Sequence, residues 1–489
     1  MRIKQVFIKA ISLLLRLGIP SLWIVSMMLL TSQGNEMQGR LKVEDVFAEA
    51  PANAEGQNWA GIYLKGDKIG YTYQSYQNSE KGILFKEYMK MRIPLGGAVR
   101  EVEADNFALL DSTLSVRSFS AGMSSGEYEI TIHGSVNGPV LELIYITGGK
   151  SNSKGVALSG KIYFQGQVPR LVKLSGFKSG AFALPVFDPL SMSLSDLTVE
   201  VGNVEIVEGD SLYQLMLEMN GIQTTTTIDT NGDLVKDEQP GGMMMVREPR
   251  EKALALKTSY SAGEDFLVKL AVPSSVTIKN DRETNYLKAE LQDITPKGFI
   301  LDDGCTQRLV SVSPIIVEID RSETSPILLE KSDDFLSASE FIQSNDSSII
   351  NLAASITDGS QSNREKAFAI SDWVYRNIEK DITVSVPSAV EVLRVRRGDC
   401  NEHTVLYVAL ARAAGIPCKT VIGIVHKDGM FFYHAWPAVF LGYWHHLDPT
   451  FGQHLADATH IQLLEGNIEK QAELVKVVGK LKIKVFEYN

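Results

Sequence analysis

The stretch RRGDCNEHTVLYVALARAAGIPC, Arg396 to Cys418, decides how this chain is read. It sets one of only 3 cysteines in 489 residues between a glycine turn and a helix. Asn401 to Ala414 carries strong helix formers and an apolar face of Val405, Val408 and Ala409, with Arg412 at its edge. Asp399 is predicted as the N-cap, which puts Cys400 in the first turn. Unpaired backbone N–H groups and the positive end of the helix dipole favour a thiolate there, and the same N–H groups can stabilise an oxyanion. Upstream, Ser388-Ala389-Val390-Glu391 reads as a capping box opening a short helix, with Gly398 as the residue that ends it. Before that, NREKAFAISDWVYRNIEKDI (363–382) lines up Ala367, Ile370, Val374 and Ile378 on one helical stripe.

A nucleophilic cysteine needs a base and a group to orient it. After the helix, CKTVIGIVH (418–426) alternates as a strand, and FFYHAWPAVF (431–440) is a second strand that contains His434. A turn at Gly442 leads to YWHHLDPTF (443–451), where Pro449 biases Asp448 toward extended geometry at a strand end. His434 and Asp448 are therefore expected side by side on neighbouring antiparallel strands, against a sheet on which the Cys400 helix packs.

Three motifs in this order, Gly398-Asp399-Cys400 with its helix ending in Arg-Ala-Ala-Gly-Ile-Pro, His434-Ala435-Trp436, and Trp444 followed by Asp448-Pro449-Thr450, resemble the transglutaminase core family. The resemblance covers roughly residues 360–455. It implies an α+β, papain-like core and a Cys-His-Asp mechanism, with Cys400 as nucleophile, His434 as base and Asp448 as orienting group. It implies no cofactor and no metal. Pro437 departs from the family pattern after His-Ala-Trp; it removes a ladder donor and suggests an edge position.

Neighbouring residues read more plainly. His403, three residues along the helix from Cys400, is a packing residue beside the thiol. His445 and His446 face opposite sides of a strand, and with His434, His454 and His460 show no metal-ligand spacing. Trp436 and Trp444 are wall residues. Trp373 and Tyr375 read as core, with an oxyanion donor as the alternative. Arg396 and Arg397 read as a solvated helix end. A Cys305–Cys418 disulfide is allowed outside the cytoplasm, and the odd cysteine count leaves at least one thiol outside any intrachain pair.

The remaining sequence is mostly β. WAGIYLKGDKIGYTYQSYQ (59–77) alternates; GEYEITIHGSVNGPVLELIYI (126–146) turns at Asn137-Gly138; TTTTIDTNGDLVKDEQ (224–239) turns at Asn231-Gly232. Asp229 opens a run suggestive of a calcium loop, but its sixth and twelfth positions are Leu234 and Pro240, so a hairpin turn is the reading. Residues 57–258 are expected as a β-rich domain, a half-open barrel or a sandwich; 259–330 as a small β-rich connector; and 331–489 as the catalytic domain. Residues 33–56 read as a linker. The first 40 residues carry Arg2, Lys4, Lys9, Arg16 and Arg40 against Glu36 alone, with an uncharged run from Leu17 to Leu30. That is the layout of a signal anchor or a signal peptide over residues 1–32, placing the bulk of the chain in the periplasm of a bacterium, held at the membrane or released.

A net charge of −11 and the lack of a basic stripe exclude nucleic acid as a partner of the whole chain. The expected function is an extracytoplasmic cysteine hydrolase acting on a protein or peptide substrate, with acyl transfer to an amine also open. The alternative is a non-catalytic cell-envelope protein whose β-rich region binds a partner. Oligomeric state is not readable.

Overall fold

The computed structural model describes residues 57–489, apart from 208, 258–259, 261–264, 323–328, 330–331 and 467–471. The expected anchor and linker lie outside the described residues. Among the described residues, no helix is long and apolar enough to cross a membrane. The chain divides into two compact units, residues 57–93 with 99–260, and residues 94–98 with 261–489.

The first unit is built on one antiparallel sheet of 14 strands. Eight strands run as a meander from Gln57–Leu64 to Lys150–Ala157, and six more run from Gly180–Asp188 to Met243–Arg247. The first strand pairs with the last, with Ile62 opposite Met245, and this joins the two runs into a single sheet. Its two end strands, Lys150–Ala157 and Gly180–Asp188, do not pair with each other. Alternation fixes the register: in Tyr128–Asn137, Tyr128, Ile130 and Ile132 are buried, while Glu129 points out. A short helix, Val168–Leu174, lays Val172 on Val186, Val199, Leu215 and Ile228. Both expected hairpin turns occur. Asn231-Gly232 joins Ile222–Ile228 to Leu234–Gln239, and Asp229 Oδ1 accepts the N–H groups of Asn231 (2.8 Å) and Asp233 (3.0 Å), the job the hairpin reading gave it.

Among the described residues, the second unit holds three sheets, one of them only two short strands, and four longer helices. A five-stranded sheet is centred on Cys418–Lys427 and Met430–Phe440, with Ile461–Glu465 beside the former and Val272–Pro273 and Trp444–His446 beside the latter. Against it packs the helix Cys400–Ala413, buried on all sides from Cys400 to Ala411, and surrounded by the helices Ser347–Thr357, Asn363–Asn377 and Ala389–Val395. The predicted stripe of Ala367, Ile370, Val374 and Ile378 is buried.

The segment read from sequence as a connector is not a unit of its own. Its strands Tyr286–Gln292, Gln307–Val312 and Ile315–Asp320 form a four-stranded sheet with Lys482–Tyr488, so chain segments nearly two hundred residues apart pair directly. The local alternation was readable; the distant partner was not. Leu287, fully buried in the middle of this sheet, tests the join. Leu287→Ala should cost about 2–5 kcal/mol, read as a lower urea midpoint of tryptophan fluorescence; a midpoint unchanged from the parent chain would mean the sheet contributes nothing to the unit.

Candidate active site

The site begins at the start of the helix Cys400–Ala413. Asp399 is its N-cap, accepting the Asn401 N–H at 2.9 Å, and Glu402 closes a capping box by accepting the Asp399 N–H at 2.8 Å. The other Glu402 oxygen accepts the hydroxyls of Thr383 (2.8 Å) and Ser385 (2.5 Å). This buried carboxylate thus ties the helix start to the segment before it. Gly398 has a different role from the expected one. The preceding helix stops at Val395, and Arg396 takes the left-handed conformation (φ 58°). Gly398 instead lies in a two-residue strand beside Lys380, and a Cβ there would stand 2.3 Å from the Glu402 side chain. The glycine is required so that Glu402 can reach back over it.

Cys400 is the first helical residue and has no solvent exposure. The expected thiolate is not what this environment favours. Burial pushes the thiol well above its usual range, the Asp399 and Glu402 carboxylates add to that, and the Ala435 N–H opposes it without prevailing. A helix start favours an anion by ~0.3–1 kcal/mol, whereas an uncompensated buried ion costs several. Cys400 therefore rests as a neutral thiol.

The Ala435 backbone N–H faces Cys400, and Thr404 donates its hydroxyl to the Ala435 carbonyl at 3.1 Å, so the helix meets the strand one residue from His434. His434 sits opposite Gly423, where a Cβ would meet the Ile461 carbonyl oxygen at 2.0 Å; only glycine lets the strand Cys418–Lys427 lie this close to Ile461–Glu465 on its other side. Asp448 follows Trp444–His446 and is held in a short turn by paired backbone bonds with Gln453, each 2.8 Å. The predicted approach of the two side chains is present: His434 Nε2 lies 2.7 Å from Asp448 Oδ2. His434 Nδ1 has no hydrogen-bond partner. The ring is stacked on Phe451 at 5.0 Å, and Phe451 carries the Arg282 guanidinium 4.5 Å from its centroid.

Asp448 accepts four hydrogen bonds. Oδ1 takes the N–H groups of Thr450 (2.7 Å) and Phe451 (3.1 Å); Oδ2 takes His434 and His460 (3.1 Å). Burial would raise this carboxyl, but the two imidazoles outweigh it and hold it well below the usual range. Burial lowers His434 against the opposing pull of Asp448, so the ring is a neutral acceptor at neutral pH. With Nε2–H given to Asp448, the Nδ1 lone pair remains for a proton.

Sequence reading set His460 aside for lack of metal-ligand spacing and passed over Asp457 and Arg282; the three continue this chain of contacts. His460 Nδ1 lies 3.1 Å from the Asp457 carbonyl, and Arg282 Nη1 lies 2.8 Å from Asp457 Oδ2. His434, Asp448 and His460 are the one group among the described residues whose ligand atoms could hold a metal ion, lying within 4.8 Å of one another. Hydrogen bonds already account for that closeness, since both imidazoles approach a single carboxylate oxygen.

The other readings resolve simply. His403 is fully buried with Nδ1 2.6 Å from its own helix's Asp399 carbonyl, a packing position. His445 approaches the His454 carbonyl (2.6 Å), while His446 Nδ1 accepts the Trp436 indole N–H (2.9 Å), so they do face opposite ways. Arg396 lies over Trp373, and Arg397 approaches Glu379. Pro437 is on an interior strand, but in the gap between Val272–Pro273 and Trp444–His446, where no strand claims its missing N–H. None of the three cysteines is in a disulfide.

Residues 350–449 match the family model of the transglutaminase-like superfamily. The mouse and human Kyphoscoliosis peptidases are 30% identical over 123 and 121 residues; the match is 22% of this chain but only 19% and 18% of theirs. This chain therefore spans about a fifth of those relatives' length. Two solved structures are also similar. One is a candidate cysteine protease from Cytophaga hutchinsonii (17% identity, 42% of this chain and 87% of that one, TM-score 0.28). The other is a β-barrel-like protein from Brucella abortus (10%, 39% and 95%, TM-score 0.32). Neither likeness is close enough to carry an argument about function.

Gly398→Ala should lower stability by about 1–3 kcal/mol through the forced contact with Glu402. Because Glu402→Gly removes that contact, Cβ included, the double variant should cost clearly less than the two single changes added together in urea melts. Additive costs would mean that Glu402 does not set the need for glycine.

Proposed function

We propose that this chain, whose C-terminal unit carries a transglutaminase-like core, is a cysteine hydrolase acting through Cys400, His434 and Asp448 on a carboxamide or peptide bond. The observation that supports this most is the state of His434. One ring nitrogen is committed to a buried carboxylate, and the other is left without a partner beside the strand–helix contact that carries Cys400.

The reaction follows from those states. The neutral thiol carries the proton to be moved, and the neutral imidazole, its Nε2–H given to Asp448, offers the Nδ1 lone pair that takes it. As the sulfur attacks the carbonyl carbon, the proton passes from Cys400 to His434 Nδ1, and Asp448 stabilises the imidazolium formed. Backbone N–H groups at the helix start receive the oxyanion. Collapse expels the amine, which takes the proton from His434, and leaves a thioester on Cys400. Water, activated by His434, releases the acid; an amine in its place would give acyl transfer. No cofactor enters these steps. Because Cys400 has no solvent exposure, substrate entry requires the site to open.

Iodoacetamide labelling of the full chain, followed by peptide mapping, tests this reading. Cys400 should react ahead of Cys418, also fully buried, and His434→Ala should slow Cys400 by roughly a hundredfold or more. Equal rates at both cysteines, or indifference to His434→Ala, would point instead to a non-catalytic scaffold whose β-rich unit does the work.

The charge layout of residues 1–40 supports an extracytoplasmic location, anchored or secreted, with a protein or peptide of the cell envelope as substrate. Alkaline phosphatase fused to the C-terminus should be active in a bacterial host; an inactive but stable fusion would place the bulk in the cytoplasm.

A further inference from the structure

His460 stands outside the three-residue mechanism, yet its two ring nitrogens have an unusual pair of neighbours. Nε2 lies 3.1 Å from Asp448 Oδ2. Nδ1 lies 3.1 Å from the Asp457 carbonyl and 3.4 Å from Asp457 Oδ1. All three are acceptors. A carbonyl carries no proton. Asp448 already receives three other donors, and Asp457 is committed as an anion. It pairs with Arg282 Nη1 at 2.8 Å and accepts the Thr459 N–H at 2.9 Å, the Thr459 hydroxyl at 2.5 Å and Gln453 Nε2 at 3.0 Å. A neutral imidazole has one N–H and one lone pair. In this setting it would turn a lone pair onto an oxygen, in a place with 3% side-chain exposure and little water to relieve it. Only the doubly protonated ring satisfies both sides.

We propose that His460 is a charged positioning residue, an imidazolium clamped between Asp448 and Asp457 that anchors the Asp448 carboxylate opposite His434. The proposal rests on the reading of Cys400, His434 and Asp448 as a triad. It adds a second cation to the orienting carboxylate. Arg282, Asp457, His460 and Asp448 then alternate in sign and sum to zero, so three buried ionised groups and the partly exposed Arg282 stand in one neutral row ending at the base.

The other groups around His460 fit this assignment. A small cavity beside it is lined by Asp303, Arg321 and His446. His446 is neutral, because its Nδ1 accepts the Trp436 indole N–H and burial drives it down to about 4. Burial acts on His460 in the same direction, but Asp457 and Asp448 outweigh it and lift the ring to about 8. The Trp436 indole crosses the His460 ring at 5.1 Å and 78° and fixes its plane.

The consequence for the base is specific. His434 and His460 share one carboxylate oxygen, so the charge on His460 reduces what Asp448 can offer His434 and discourages His434 from holding a proton early. His434 stays an acceptor until Cys400 supplies the proton. Removing the charge but keeping a donor should therefore raise the pH at which His434 titrates.

The test uses the full-length chain with 15N-labelled histidine rings. His434→Gln and His460→Gln assign the two rings among the 8 histidines. The parent chain should show one ring doubly protonated at neutral pH, absent in His460→Gln, and His434 as the Nε2–H tautomer. In His460→Gln the His434 titration should move up by about 1 pH unit, and the acid limb of Cys400 alkylation should move with it. A neutral His460 at neutral pH, or an unmoved His434 titration, overturns the proposal. If His460→Gln does not fold, Asp457→Asn serves, since it removes one of the two anions without touching Asp448: the His460 titration should move down, and an unmoved His460 titration in that variant is equally fatal. Should the rings behave as expected while Cys400 stays inert in every variant, the triad reading falls and the charge assignment stands.

Discussion

An ionised carboxylate with no access to water is the constraint around which this unit is organised. Asp448 is tolerable inside the protein only because four donors reach it, two from its own turn and two from imidazoles on other segments. Removing one partner from such a group usually costs about 3–5 kcal/mol, since the charge that remains is uncompensated. That cost explains the rigidity of the surroundings. The turn from Asp448 to Gln453 is tied by two backbone bonds, Phe451 is fixed between His434 and Arg282, and the strand Ile461–Glu465 is entered directly from His460. Arg282 comes from the segment ahead of the helices and pairs with Asp457 and Phe451, so the surroundings of this carboxylate also tie in a distant part of the unit.

A second buried carboxylate does comparable work at the helix start. Glu402 binds the Asp399 N–H and two hydroxyls, and so locates Cys400 before any substrate is present. The two anchors meet at Ala435, where helix and strand touch through the Thr404 hydroxyl. The residues in between are tuned toward neutrality. The thiol keeps its proton and the imidazole lacks one, so the site stores no separated charge at rest. In the proposed mechanism, charge separation is deferred to the moment of attack, when the pre-set donors and Asp448 are already in place to meet it.

Much of this was legible in the sequence because it is local. The helix from Asp399, the stripe from Ala367 to Ile378 and the turns at Asn137-Gly138 and Asn231-Gly232 follow from spacing and turn chemistry over a few residues. Cys400, His434 and Asp448 were readable because three motifs occur in order, and their strand contexts bring His434 and Asp448 together. What failed was non-local or ambiguous. Gly398 read as a helix stop, since glycine commonly ends helices, yet Arg396 takes the left-handed position and Gly398 answers to a side chain four residues later. The Asp399-x-x-Glu402 spacing of a capping box was present and overlooked. His460 was set aside for lack of ligand spacing, and its partners could not have been assembled from sequence. Arg282 lies in a stretch read as a separate connector, and the pairing of Tyr286–Gln292 with Lys482–Tyr488 that corrects this spans the whole unit. The ionisation of Cys400 was misjudged because helix position argues for a thiolate, whereas the depth of burial, which sequence does not give, argues harder for the thiol.

That depth has a chemical consequence for the thiol. Peroxide and other oxidants attack thiolates that they can reach, and the damage beyond sulfenic acid is irreversible. A protonated sulfur with no solvent contact is shielded on both counts. Cys400 is thus kept in reserve, reached by oxidants only when the core opens, so the lifetime of the reduced thiol is set by how often it opens rather than by the reactivity of the sulfur itself.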